Sequence, residues 1–163
     1  MFVVPKKYIP KYLSKSNAQV LKKEIQKSRK AYKKGKYYIR KPVKTMKVQE
    51  SIHVKNAKKL YGIRTMKINK ELSRKTKCSL KGLQKIMQKG KGAYFSGSRP
   101  GQTPTSWGYA RLASSITGGK SAAVDFHILD EHCDHKTSKA YKLAKKSRKK
   151  HKKGTRKVPK RYL

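Results

Sequence analysis

Forty-six lysines and arginines stand against seven acidic residues in this 163-residue chain, a formal charge of +39. Like charges at this density repel, so a compact state is favoured mainly where polyanions or acidic protein surfaces neutralise it. Apolar residues make up only 35% of the chain, below the roughly 45–50% of an ordinary soluble domain, so any core must be thin. An enzyme with a large enclosed pocket is not expected, nor is any cofactor or small-molecule substrate. No window approaches the roughly 20 apolar residues that a membrane-spanning helix needs. The residues describe a component of something larger.

The pattern along the chain is mainly α-helical: a small helical core with extended basic arms at both ends. Residues 1–15, with Pro5 and Pro10 between Tyr8, Tyr12 and Leu13, read as an extended arm, because prolines at that spacing cannot lie inside a helix. Residues 16–135 read as a single helical domain and 136–163 as a basic tail. Ser16 or Asn17 offers a cap, and Ala18, Leu21, Ile25 and Tyr32 fall on one helical stripe that Gly35 ends. Ser51 caps a second helix through Val54, Ala57 and Tyr61, closed by Gly62.

Asn69 to Lys89 has the outline of a helix-turn-helix. Asn69 caps a short helix containing Leu72, Thr76-Lys77-Cys78 turns, and Ser79 caps a second helix with Leu80, Leu83, Ile86 and Met87 inward and Gly90 at its end. Lys81, Lys85 and Lys89 face outward on this reading. The bland alternative is an α-hairpin with solvated lysines, and Lys77 occupies a turn where glycine is easier.

From Gly90 to Gly119 the composition changes: this stretch holds seven of the eleven glycines and the only tryptophan. An irregular loop is expected up to Gly101, then a helix opened by Thr103-Pro104. Trp107, Tyr109, Leu112 and Ile116 are the expected centre of the core. Ser121 to Leu129 is ambiguous between strand and helix, and helix is favoured.

Four of the seven acidic residues share the window Asp125–His135 with His127, His132, Cys133 and His135. Imidazole and thiolate suit zinc, yet the spacing matches no standard finger, and adjacent His132 and Cys133 seldom reach one ion. An acidic patch pairing with the basic body is the simpler reading, and no metal is expected. A Cys133 nucleophile with a histidine base lacks an oxyanion hole. The glycine-rich GKGAYFSGSRPG lacks the spacing of a phosphate-binding loop, although Lys91 and Arg99 can clamp an anion there. Two cysteines are too few for a disulfide framework, and Met-Phe-Val-Val-Pro-Lys-Lys is not the start of a signal peptide, so synthesis in a reducing cytosol is expected.

Basic residues interleaved with tyrosines are the strongest signal. Such a surface binds phosphates by counterion release and stacks on bases, and it equally suits a protein lacing between acidic proteins. The expected contact residues are Lys81, Lys85, Lys89, Lys91 and Arg99, with Lys145, Lys146, Arg148, Lys149, Lys150, Lys152 and Lys153 in the tail.

The stretch GKGAYFSGSRPGQTPTSWGYARLASSITGGKSAAVDFHILDEHC, with SRKAYKKGKYYIRK, KNAKKLYGI and CSLKGLQKIMQ upstream, resembles a family of small, very basic proteins of nucleocytoplasmic large DNA viruses, algal and amoebal giant viruses among them. The resemblance covers about residues 5–150 and implies a virion protein made in the host cytoplasm. With the composition, it leads to the expectation of a non-catalytic minor capsid or cement protein. Its basic arms would hold major and minor capsid proteins, and the alternatives for them are viral DNA and the anionic inner membrane surface. The rival reading is nucleic-acid binding, as a histone-like condensing protein or a helix-turn-helix factor packaged with the genome.

Overall fold

In the computed structural model, which describes residues 3–5, 8–46, 50–96, 102–152 and 160–162, the chain is mainly α. Among the described residues it forms eight helices and one short antiparallel strand pair, β1 (Val3–Pro5) with β2 (Lys160–Tyr162), in the register Val3 opposite Tyr162. Two compact units can be distinguished: Met1–Gln49 with Lys91–Pro104 and Arg156–Leu163, and Glu50–Gly90 with Thr105–Thr155.

The first unit is built on α1 (Lys15–Lys33), which starts two to three residues earlier than a cap at Ser16 or Asn17 would place it, because the Ser14 hydroxyl accepts the Asn17 N–H at 3.2 Å. Its buried stripe meets Ile9, Leu13 and Val43 in a small cluster around Leu21 and Ile25. Residues 9 and 13 of the expected arm are therefore packed in this unit. Glu24 is also buried. Its carboxylate accepts hydrogen bonds from the Tyr38 hydroxyl at 2.8 Å, the Lys41 N–H at 2.8 Å and Lys27 at 3.2 Å. Burial pushes that carboxyl up, but these donors and the Lys27 charge outweigh it, and the net shift is downward. Tyr94 and Phe95 complete the unit, with the Arg40 guanidinium 4.1 Å from the Tyr94 ring centre.

The second unit holds the larger core. Helix α2 (Ile52–Tyr61) ends at Gly62, whose φ of 59° is the left-handed cap that glycine adopts freely. Helix α3 (Lys70–Thr76), capped by the Asn69 side chain, leads to α4 (Leu80–Phe95), α5 (Pro104–Ile116), α6 (Lys120–Val124), α7 (Phe126–His132) and α8 (Lys139–His151). Leu72, Leu83, Ile86, Leu112, Ile116 and Leu129 are almost wholly buried together. The Tyr61 hydroxyl is buried among them and donates to the Ile116 carbonyl at 2.5 Å.

Four expectations need correction. Gly90 does not end its helix. A Cβ there would lie 2.7 Å from the Gly108 Cα, so this glycine lets α4 and α5 pack backbone to backbone while α4 continues to Phe95. Trp107 and Tyr109 are only half-buried, while Leu112 and Ile116 have no exposed surface, so the aliphatic pair and not the tryptophan centres the core. Residues 139–151 of the expected tail form α8. Its stripe of Ala140, Tyr141, Ala144 and Ser147 is buried, and the Ser138 hydroxyl accepts the Tyr141 N–H at its start. Small side chains let α8 come close: a Cβ on Gly118 would lie 3.0 Å from Leu143, and Ser147 donates to the Gly119 carbonyl at 2.8 Å.

The cysteines give the fourth correction. Cys78 and Cys133 are joined in a disulfide, and no cysteine is free. They face each other in an antiparallel bridge, flanked by Ser79 N–H to the His132 carbonyl at 2.8 Å and Asp134 N–H to the Lys77 carbonyl at 2.9 Å. That is the non-hydrogen-bonded pairing, in which side chains lie closest. It ties the turn between α3 and α4 to the end of α7.

Candidate polyanion-binding surface

The acidic residues define the surface by what they leave over. Asp125 has no exposed area. It receives Arg111 through Nε at 2.9 Å and Nη2 at 2.8 Å, the Ser115 hydroxyl at 3.0 Å, and Lys89 Nζ at 3.1 Å. Burial raises this carboxyl, yet the hydrogen bonds and charges of Arg111 and Lys89 win and hold it below the ordinary carboxylate range. Glu24 is held as described above. Glu50 pairs with Lys58 and Glu71 with Lys75. Asp130 meets His135 at 3.2 Å, and Glu131 lies 3.7 Å from His132. Asp134 accepts the N–H groups of Lys136 and Thr137, which lower its pKa. Five of the seven acidic side chains are thus engaged by a lysine, an arginine or backbone N–H groups of their own chain, Asp130 and Glu131 lie beside histidines that carry charge only when protonated, and the great majority of the 46 cations have no carboxylate to meet.

In the window Asp125–His135, Asp130, Glu131 and Asp134 are exposed and form a small acidic patch, while Asp125 stands apart from them, buried as the anchor of Arg111. Cys133 is in the disulfide and is no thiolate ligand or nucleophile. His127 is exposed, and His135 stacks on Tyr141 at 4.2 Å between ring centres. His132 Nδ1 shares a hydrogen bond with the Ser79 hydroxyl at 3.0 Å, and its Nε2 is buried with no hydrogen-bond partner. Among the described residues no group of three or more His, Cys, Asp or Glu is placed to hold a metal ion.

Among the described residues of the second unit, the cations expected from the sequence lie on two helices. On α8 the buried stripe points Lys145, Lys146, Arg148, Lys149 and Lys150 outward, with Lys152 exposed just beyond the helix. Arg148 lies over the Phe126 ring at 4.6 Å and Lys145 near the Tyr141 ring at 5.9 Å, so their stems run along apolar surface while their heads stay in water. On α4, Lys81 and Lys85 are exposed as expected, whereas the Lys89 ammonium is committed to Asp125. Gln84 and Gln88 share the outer stripe with them. Sequence reasoning passed these glutamines over, although their spacing from Lys81, three and seven residues on, was the available signal. Lys91 is half-buried and belongs to the first unit. Arg99 and Lys153 lie outside the described residues.

The profile of one protein family matches residues 5–135, and the family carries no assigned activity. Among curated proteins and among solved structures, nothing matches.

Proposed function

The chain belongs to the family of unknown function DUF5824, and from its own residues we propose that it is a non-catalytic structural component of a large DNA virus particle. In this role it is a minor capsid or cement protein, holding acidic surfaces of the shell together through its basic faces. The carrying observation is that only seven acidic side chains stand against 46 lysines and arginines, and five of the seven are already engaged inside the chain. A surface of this charge is neutralised only from outside. The likeness to virus-encoded basic proteins supplies the particle, and acidic capsid proteins supply the anions. Rim charges of this kind speed association and choose partners more than they add affinity.

The test is stepwise stripping of purified particles with and without nuclease, following this chain by mass spectrometry. Release together with the major capsid protein, unchanged by nuclease, is the expected result. Retention until nuclease treatment would replace the reading with genome condensation. Absence from the particle would overturn it.

A further inference from the structure

From the α3–α4 pair we infer that the second unit reads double-stranded DNA, with α4 lying in the major groove. This goes beyond the proposed function and does not depend on it.

Helix α3 is seven residues long, and Lys77 stands directly after it in the left-handed region, at φ 57° and ψ 35°. Only Cys78 and Ser79 separate it from the start of α4. The turn where glycine would be easier therefore forms with lysine, a strained backbone that the surroundings must hold. They do so at several points. Cys78 is buried and bonded to Cys133, and the Ser73 hydroxyl donates to the Cys78 carbonyl at 2.6 Å. Ser79 accepts the Gly82 N–H at 3.1 Å while meeting His132. Gly82 is pressed against His132 so closely that a Cβ would overlap the histidine's. Inward-facing Leu72, Cys78, Leu83 and Ile86 are each no more than 3% exposed. The pair is a fixed unit, as a reading helix must be before it meets its target.

The outer stripe of α4 is Lys81, Gln84, Lys85 and Gln88, all exposed, over two turns of one face. Residues 80–95 contain no acidic side chain. Lysine donates to guanine O6 and N7, and glutamine pairs in bidentate fashion with adenine N6 and N7. A solvated face needs only charge, whereas alternating lysine and glutamine is a set of donors and acceptors that distinguishes base edges. Lys70, Arg74 and Lys77 on α3 and the turn are exposed and would supply cations for phosphates beside the groove, contacts that set register without reading sequence. The major groove admits one α-helix, and only duplex DNA offers both the phosphates and this edge pattern, since the deep groove of duplex RNA is closed to side chains.

The experiment is selection of the full, disulfide-bonded chain against a pool of randomised duplexes at about 200 mM salt, where non-specific phosphate binding is much weaker than at low salt. We expect an enriched short sequence. Gln84→Ala, or Gln88→Ala as an independent second variant, should cut the preference for it over random duplex about 5- to 150-fold without lowering affinity for random DNA. Lys149→Gln on α8 should weaken both duplexes alike. Absence of any enriched sequence overturns the inference. So does loss of selected and random binding together in both glutamine variants, or displacement of the selected duplex by single-stranded DNA or duplex RNA added as competitor at equal concentration. Since the assay uses no particle, its failure leaves the shell reading intact, and failure of the stripping test leaves the DNA reading intact.

Discussion

Replacing Asp125 with alanine tests how this cationic chain holds together. The carboxylate has no exposed area and takes four hydrogen-bonding or ionic contacts, two of them from Arg111. Removing one partner of a buried pair costs about 3–5 kcal/mol, because the other charge is left without its counter-ion. Here the Arg111 side chain keeps 19% exposure and that of Lys89 keeps 39%, so both regain some water and the lower end, about 3 kcal/mol, is expected. For a unit of about 90 residues that corresponds to a fall in Tm of about 12–24 °C. Asp125→Asn keeps the shape and an acceptor and should fall between. The assay is thermal and urea unfolding by circular dichroism near neutral pH in a buffer without polyanions. The folded carboxyl has a depressed pKa. Its contribution is therefore present above the unfolded value of about 3.9 and is lost as pH falls through the lower folded value. The variant and the wild type should converge in strong acid. A variant within about 0.5 kcal/mol of wild type at neutral pH, or a gap that persists unchanged in acid, would refute the reasoning.

Three further perturbations address the fold. The disulfide closes a loop with a sequence separation of 55, so reduction, or the double change Cys78→Ser with Cys133→Ser, should cost about 4 kcal/mol on the chain-entropy argument; an unchanged urea midpoint would contradict this. Gly90→Ala should destabilise although alanine is the better helix former by about 1 kcal/mol, since its Cβ would meet the Gly108 Cα at 2.7 Å; a rise in Tm would show that the helices can separate there. Leu112→Ala should cost about 2–5 kcal/mol and exceed Trp107→Ala, which removes a half-buried ring; the reverse order would put the tryptophan back at the centre.

Much of the helical frame was legible in the sequence where polar caps and apolar stripes coincide. Ser51, Asn69 and Ser79 all stand where their side chains accept helical N–H groups, and the ambiguous stretch 121–129 falls in α6 and α7. What escaped was set by tertiary packing. The buried stripe of α8 is two alanines, a tyrosine and a serine, too small to stand out against its lysines, and it is buried because glycines 118 and 119 lie against that helix. Gly90 carries the signature of a helix end, yet its missing Cβ serves contact with another helix. The pairing of two cysteines so far apart leaves no trace in local spacing. At the candidate surface, Lys81 and Lys85 were readable from helical period alone. The diversion of Lys89 to Asp125 was not, because sequence displays a carboxylate's charge and hides its burial.

The central claim is that the basic faces of this chain rest on acidic side chains of other shell proteins. Zero-length carbodiimide cross-linking of intact particles, followed by mass spectrometry, joins a lysine to a carboxylate only when the two are in contact. Cross-links from Lys145, Lys146 or Lys149 to Asp or Glu of capsid proteins are predicted, fading as salt screens the pairs over a Debye length of about 8 Å at physiological ionic strength. Cross-links confined to pairs within this chain, such as Lys58 with Glu50, and none to any shell protein would contradict it.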